Sequence, residues 1–428
     1  MSNKKGIAIK LLIALTFISA TATLSAQTKD WGIEWGGSIR TDLYWDTRAT
    51  TGARESSLLF LPNNEQLNSK GNDINDVANF YWGSMNSRLS GKIYAPNCLG
   101  AAISGFIEME FLGQIDAQTN MIRLRHAYAD LDWGNSKLTI GQTWNPMYVP
   151  DAIPTTVSLN VGAPLGPLAR NPQVRFSQNL GSGWGLQLTA FTERDMVSPG
   201  PNGNAVSYQR NALLPAFNLL FDKKYVSKDG YQFHIGIDGE FKTIKPLNFG
   251  ADGEEIDATL NSWAANFFCA LTTSKFTAKL NAIYGGNLAD FLMLGGYAVS
   301  EYENGNPSAY TPFNNLGATL DLGYAINKNA KFGIMFGYNQ NLGTTDEIAV
   351  GNPTYTAWGV LMDNMLRIAP RFTYTTGRIT FGGEVEYTAA SYGNEIETTS
   401  NGTLWKGKWD STTDVSNIRI LLSTTLAF

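Results

Sequence analysis

Apolar and polar residues alternate with a period of two along most of this chain. Between Tyr231 and Lys242, one set comprises Tyr231, Phe233, Ile235, Ile237 and Phe241, and the interleaved set Gln232, His234, Asp238, Glu240 and Lys242. Ile379, Phe381, Val385 and Tyr387 are likewise set against Arg378, Thr380, Glu384 and Glu386. Successive side chains of a strand point to opposite faces, so the pattern predicts strands with an apolar medium on one side and water on the other. Sixteen segments carry it: 32–45, 84–94, 100–112, 121–133, 136–143, 171–178, 184–193, 212–222, 230–242, 259–271, 275–285, 313–326, 331–340, 363–375, 378–389 and 416–428.

The connectors sort into two kinds. Short ones at 134–135, 272–274, 327–330 and 376–377 are rich in turn-forming residues. They alternate with long segments at 46–83, 144–170, 286–312, 341–362 and 390–415. Short turns at one end and long loops at the other are the pattern of a transmembrane antiparallel β-barrel, and sixteen strands bring both termini to the short-turn side. The expected fold is therefore all-β, a barrel of about sixteen strands, with the third outer loop long enough to fold into the lumen. A barrel of this size is wide enough for water. Trp31, Trp45, Trp184, Tyr324 and Tyr374 fall near predicted strand ends, as interfacial aromatic girdles require. A packed apolar core is not expected.

The two ends add an address. Lys4 and Lys5 precede a run from Ile7 to Ile18 that is apolar apart from Lys10 and Thr16, and small residues follow, with cleavage expected after Ala22 or Ala26. That is the layout of a secretory signal peptide, so residues 1–26 are assigned to export and 27–428 to a single barrel domain. A membrane anchor helix would need about 20 uninterrupted apolar residues. At the other end, Ile418, Ile420, Leu422, Thr424, Leu426 and Phe428 form a mostly apolar face. A final strand closing on an aromatic residue resembles the segment of bacterial outer-membrane proteins that is read by the barrel-assembly machinery.

Composition agrees and excludes several classes. Charged residues make up 16% of the chain, against roughly 25% in soluble domains, while aromatic residues reach 12% with 43 glycines and 11 tryptophans. Mean hydropathy is −0.16, and no stretch beyond the signal approaches a transmembrane helix. Loss of Lys4, Lys5 and Lys10 with the signal takes the formal charge from −5 to −8, which gives no reason to invoke nucleic acid. Cys98 and Cys269 are the only cysteines, one in a predicted turn and one on a predicted lipid face, so no disulfide framework is expected. Neither a Cys/His cluster nor a phosphate-binding glycine loop is present, and no metal or cofactor is implied. The chain is not expected to be an enzyme: a barrel hydrolase needs a histidine base beside its nucleophile. Only His126 and His234 exist, and neither has an evident nucleophile.

The candidate chemistry concentrates between Met121 and Phe176. Alternation directs Arg40, Arg88, Arg123, Arg125, Arg175, Arg367 and Arg371 into the lumen, with the phase blurring at His126 as a β-bulge would cause. Asp151 lies in the third outer loop and Arg170 at its end. Arginine is permanently charged and offers a planar fork of donors suited to carboxylates, so a ring of them in a narrow pore concentrates anions. Lumen acids such as Glu108, Glu110, Glu384 and Glu386 offer the competing outcome, in which the arginines serve only as internal ion pairs.

Three motifs at matching spacing resemble the DcaP-like porins, a family of trimeric outer-membrane channels. These are Arg123-Leu124-Arg125-His126-Ala127-Tyr128, Gly141-Gln142-Thr143-Trp144 and Arg170-Asn171-Pro172-Gln173-Val174-Arg175-Phe176. The resemblance implies passive diffusion of small hydrophilic solutes, with anionic ones favoured, across the outer membrane of a Gram-negative bacterium. It also implies a homotrimer among outer-membrane lipids. Some members carry an N-terminal helical extension; here alternation begins at about Ile33, so a trimer would rest on contacts between barrels. Two alternatives stay open: a sugar- or aromatic-specific channel using Trp144, Tyr148 and Phe268, and a barrel whose outer loops 46–83 and 390–415 act as a receptor or adhesin.

Overall fold

A computed structural model describes residues 31–349, 355–359, 361–395 and 406–428. The proposed signal peptide, all but five residues of the stretch 350–360, and the middle of loop 390–415 lie outside the described residues. Strand β1 (Gly32–Asp46) opens the barrel, and β2 (Thr50–Ala53) with β3 (Leu58–Pro62) forms a hairpin inside the first outer loop. Then follow β4 (Asn79–Gly83), β5 (Arg88–Cys98), β6 (Ala101–Glu110), β7 (Arg123–Asp132) and β8 (Ser136–Trp144). Beyond the third outer loop come β9 (Arg170–Gly181), β10 (Trp184–Phe191), β11 (Ala216–Val226), β12 (Gln232–Ile244), β13 (Leu260–Thr272) and β14 (Phe276–Gly286). The last set is β15 (Gly295–Glu303), β16 (Asn306–Ala325), β17 (Ala330–Thr344), β18 (Tyr355–Trp358), β19 (Met362–Thr376), β20 (Ile379–Glu395) and β21 (Ser411–Ala427).

Neighbours pair antiparallel all the way round, and β1 meets both β21 and the β4–β5 pair, so the sheet has no free edge. β4 and β5 occupy one position against β1, separated by a turn in which the Ser87 amide donates to the Ser84 carbonyl. β15 and β18 lie beyond the wall, capping the outer end of β16. Sixteen wall positions remain, and each coincides with one of the sixteen alternating segments. Closure without edges pairs the wall's backbone groups within the sheet, as a barrel in lipid requires, where no water can do so.

The seam explains the terminal strand. The Phe428 amide donates to the Gly37 carbonyl and the Gly37 amide to the Phe428 carbonyl, both at 3.1 Å. A Cβ at Gly37 would stand 2.3 Å from the Arg88 carbonyl oxygen and 2.8 Å from Cζ of the Phe428 ring. Only glycine fits where β21 closes on β1.

Faces follow the predicted phase. On β12, Ile237 and Phe241 are exposed outward while His234, Asp238, Glu240 and Lys242 are buried on the lumen side. On β20, Phe381, Val385 and Tyr387 face out, and Glu384 and Glu386 are buried. Trp31, Trp45, Trp184, Tyr324 and Tyr374 are all outwardly exposed. Cys98 is exposed at the end of β5 and Cys269 half-buried on β13; both are free thiols.

One expectation is corrected: the lumen does hold a packed apolar cluster. Leu58, Phe60 and Leu61 of the first loop meet Ala163, Leu165 and Leu168 of the third, with Leu292, Leu294, Met362 and Met365 alongside. The outer ends of β19, β20 and β21 contribute Met362, Met365, Ala390, Tyr392 and Val415, and the rest comes from loop segments that lack any periodicity by which to announce burial. The first loop is accordingly not all an outer display surface. Arg367 Nη2 donates to the Phe60 carbonyl at 2.8 Å, Tyr392 Oη to that of Pro62 at 2.7 Å, and Arg419 Nη1 to that of Ser56 at 2.8 Å.

Candidate channel constriction

Residues 145–169 leave β8 and return to β9 by way of lumen-facing groups on distant strands. Lys279 Nζ of β14 donates to the Ile153 carbonyl at 2.9 Å, and the Thr155 amide donates to Asp321 Oδ2 of β16 at 3.0 Å. The Val157 and Ser158 amides donate to the two oxygens of Glu384 on β20, at 2.7 and 3.1 Å. Arg40 Nη2 of β1 donates to the Val157 carbonyl at 2.6 Å, and Arg367 Nη1 of β19 to the Ala163 carbonyl at 2.7 Å. A run of loop amides and carbonyls thus finds partners that strand geometry cannot supply, which is how a buried loop remains tolerable. Glycines make the approach close enough. A Cβ at Gly337 would lie 2.3 Å from Leu165 Cδ1, and one at Gly317 would lie 2.6 Å from the Leu165 carbonyl oxygen.

Between this loop and the wall formed by β5 to β9 lies a cavity of about 120 Å³. Arg88, Arg123, Arg125, Arg170 and Asp195 line it, together with Trp144, Tyr148, Leu58, Val161 and Leu168. A bulge in β7 adds His126 to the arginine face. Opposite β6, Met109 pairs with Leu124 and Glu108 with His126, leaving Arg125 without a partner residue. Arg123 and Arg125 already share the lumen face by alternation, and the extra residue brings His126 onto the same side, buried with them. His126 Nδ1 lies 3.2 Å from Thr143 Oγ1, and its ring stands edge-on to Trp144 at 5.1 Å.

The guanidiniums share too few acids. Arg123 bonds to Glu110 Oε1, and Arg125 reaches Glu110 Oε2 at 2.7 Å and Glu108 Oε1 at 2.5 Å. Asp195 takes Arg170 at 2.8 Å and Arg123 at 3.4 Å, while Arg88 stands 3.7 Å from Glu110. Four guanidiniums therefore meet three carboxylates. The buried Nε atoms of Arg88, Arg123 and Arg170 have no hydrogen-bond acceptor in the protein. Unmet buried donors are costly, and they leave this cluster short of acceptor charge. Arg54, from the first loop, adds a further positive group nearby; burial, then the Arg123 guanidinium, lowers its pKa. Beside them, Trp144 and Tyr148 stack with centroids 3.9 Å apart, and the Arg170 guanidinium lies 4.0 Å over the Trp144 ring. Burial raises the Tyr148 phenol pKa, so it stays neutral.

The other predicted site residues sit elsewhere. Arg175 is adjacent but turned aside, its Nη2 donating to the Trp144 carbonyl at 2.8 Å. Arg40 is paired with Asp42 at 2.7 Å, and Arg371 grips Asp321 with two bonds of 2.6 and 3.0 Å. Arg367 is fully buried, bonded to Thr388 and 3.2 Å from Glu386, and holds loop carbonyls rather than facing open lumen. Asp151 lies apart from the cavity, 2.9 Å from His234 Nδ1 and 3.3 Å from Lys224 Nζ. The His234 hydrogen bond holds its carboxyl below the usual range; burial opposes this and Lys224 assists. Phe268 is also distant, packed with Val149 and Ala152.

Sequence reasoning missed Asp195 and Arg419. Asp195 falls in a segment with no alternation, so nothing in the sequence gave it a face. Arg419 was visible as the one charge in the polar set of the last strand; it is buried and salt-bridged to Asp46 at 2.7 Å. No group of His, Cys, Asp or Glu suited to a metal ion occurs among the described residues.

No family model matches the chain, and neither does any curated protein. Among solved structures it is similar to the outer-membrane channel DcaP of Acinetobacter baumannii, at 15% identity and a TM-score of 0.66, covering 95% of this chain and 100% of that one. The fold is that of an outer-membrane porin. A trimer form of OmpT from Vibrio cholerae matches at 12% identity and a TM-score of 0.54, covering 94% of this chain and all of that one. An anion-selective porin from Comamonas acidovorans matches at 8% identity and 0.50, covering 93% and 100%. At such identities the porin likeness establishes architecture, and selectivity has to be argued from the residues of the cavity.

Proposed function

We propose that this chain is an outer-membrane porin through which small hydrophilic solutes diffuse passively, with anionic and especially carboxylate solutes favoured. The closed sixteen-position wall supports residence in the outer membrane of a Gram-negative bacterium, among its lipids and after insertion by the barrel-assembly machinery. The segment 145–169 is the constriction, and Arg88, Arg123, Arg125 and Arg170 form its selective face. The observation that carries this reading is the excess of guanidinium over carboxylate in that cavity, with three unmet Nε donors. A homotrimer formed by contacts between barrels fits the fold, and the count of closing steps in a single-channel record tests it.

Changing Arg123 and Arg125 to Ala removes two charges from the cavity and leaves Glu108, Glu110 and Asp195 with only Arg88 and Arg170. The anion-to-cation permeability ratio in planar bilayers is expected to fall, and to invert if the three acids then dominate. An unchanged reversal potential would show that these arginines do not face the permeating ion.

The Trp144–Tyr148 stack supports a second reading in which the channel prefers aromatic solutes. Liposome swelling separates the two. Admission graded by size and charge fits the general porin, and saturation by an aromatic solute fits the specific one.

A further inference from the structure

His234 stands between two carboxylates that belong to different parts of the molecule. Its Nδ1 is 2.9 Å from Asp151 Oδ2, on the constriction segment, and its Nε2 is 2.7 Å from Asp222 Oδ2, on the wall strand β11. The ring itself is carried by β12 and nearly buried, edge-on to Phe268 of β13 at 4.9 Å. Carboxylates only accept, so both contacts are hydrogen bonds at once only when both ring nitrogens carry protons. A neutral imidazole has one N–H; its other nitrogen then presents a lone pair to a carboxylate, and the link to one partner becomes repulsive.

We propose that His234 is a positioning residue that ties the constriction segment to the barrel wall while protonated, and that its deprotonation frees the start of that segment and makes the channel close more often. The inference rests on the reading of residues 145–169 as the constriction. It concerns a group outside the arginine cavity and adds a pH dependence that the cavity alone does not supply.

The surroundings show why this one contact governs attachment. Three charged groups face the imidazole: Asp151 from the loop, and Asp222 and Lys224 from β11. Lys224 lies 3.3 Å from the same Asp151 oxygen, but both of those side chains are more than half exposed, so that pair holds the segment less firmly than the bond to the buried imidazole. On β12 the next lumen acid, Asp238, is engaged by Asn218 at 2.5 Å. From β13 the uncharged Phe268 and Ala270 lie beside it. On β14, Lys279 holds the Ile153 carbonyl and Thr155 Oγ1, both at 2.9 Å, and so anchors the segment after Asp151. The segment is thus fixed downstream by Lys279 and by the permanently charged Arg40 at Val157, and upstream by an imidazole.

The experiment is single-channel recording of the full-length protein in planar bilayers from about pH 5.5 to about pH 9.5, bracketing imidazole titration, with wild type, His234→Gln and Asp151→Asn. In wild type the closed-to-open ratio at fixed voltage is expected to rise about tenfold across this range, the loss of one charge-assisted hydrogen bond. His234→Gln should show the high ratio at every pH. Asp151→Asn, whose amide bonds a neutral imidazole equally well, should show the low ratio at every pH. Heat-modifiable migration in gels verifies that each variant is folded. A pH profile in either variant that matches wild type, or a flat wild-type profile, overturns the proposal. The reversal potential from the same recordings judges the constriction reading separately, because ion preference is set at the arginines and not at His234.

Discussion

At the level of single residues, a charge in the lumen matters only where its field is not already cancelled. Arg170 and Arg371 are both lumen-side arginines, yet Arg371 holds Asp321 in a two-bond grip while Arg170 shares one carboxylate with Arg123 and keeps an unmet Nε. A unit charge about 4 Å from a hydrated ion is worth about 1 kcal/mol in water, a change of up to about fivefold in local ion concentration. Arg170→Gln is therefore expected to lower the anion-to-cation ratio by a factor of up to about five. The neutral pair Arg371→Gln with Asp321→Asn, which keeps an acceptor for the Thr155 amide, should leave it unchanged. An unchanged ratio in Arg170→Gln, or an equal fall in both variants, measured by reversal potential, would mean that selectivity is not set by the charge of this cavity. The sequence showed which arginines share the lumen face, because period-two phase is local. It did not show which of them were already neutralised, since the partners lie on strands or loops far along the chain.

Among the elements, the sixteen wall strands were legible because lipid on one side and water on the other impose alternation over ten or so residues at a time. The bulge in β7 was legible as a break in that phase at His126. What could not be read was the inward turn of Leu58–Pro62 and of residues 286–295, whose apolar runs have no period and whose burial depends on the third loop meeting them. Two elements invite direct tests. Gly37→Val would press on both the Arg88 carbonyl and the Phe428 ring at the β1–β21 seam. Overpacking of this kind costs about 1–3 kcal/mol, and the folded, heat-modifiable band should be lost at a lower temperature than in wild type. Glu384→Ala removes the acceptor of two loop amides and leaves them buried. Each such orphan costs about 1–3 kcal/mol, so the constriction segment should loosen and open-channel current noise should rise. Unaltered noise would show that the segment is held well enough by its other anchors.

Taken as a whole, the molecule places an arginine-rich cavity of modest volume on one side of an inward loop and an extensive set of buried carboxylates on other walls. Glu193, Asp290 and Lys242 form one such group, linked by contacts from Lys242 to Asp290 and, at 3.7 Å, to Glu193. Burial, with the neighbouring Asp290 charge, pushes the loop carboxyl of Glu193 up to about 7, so near neutral pH that acid is partly uncharged. As pH rises it ionises and adds negative charge inside the barrel, which should reduce anion preference between about pH 6 and about pH 8; Glu193→Gln should remove that component. The most direct test of the central claim is the zero-current potential of the wild-type channel in a KCl gradient near neutral pH. The account predicts the sign of a chloride-preferring pore, smaller in the Arg123→Ala, Arg125→Ala double variant. A potential of cation-preferring sign in wild type would contradict it.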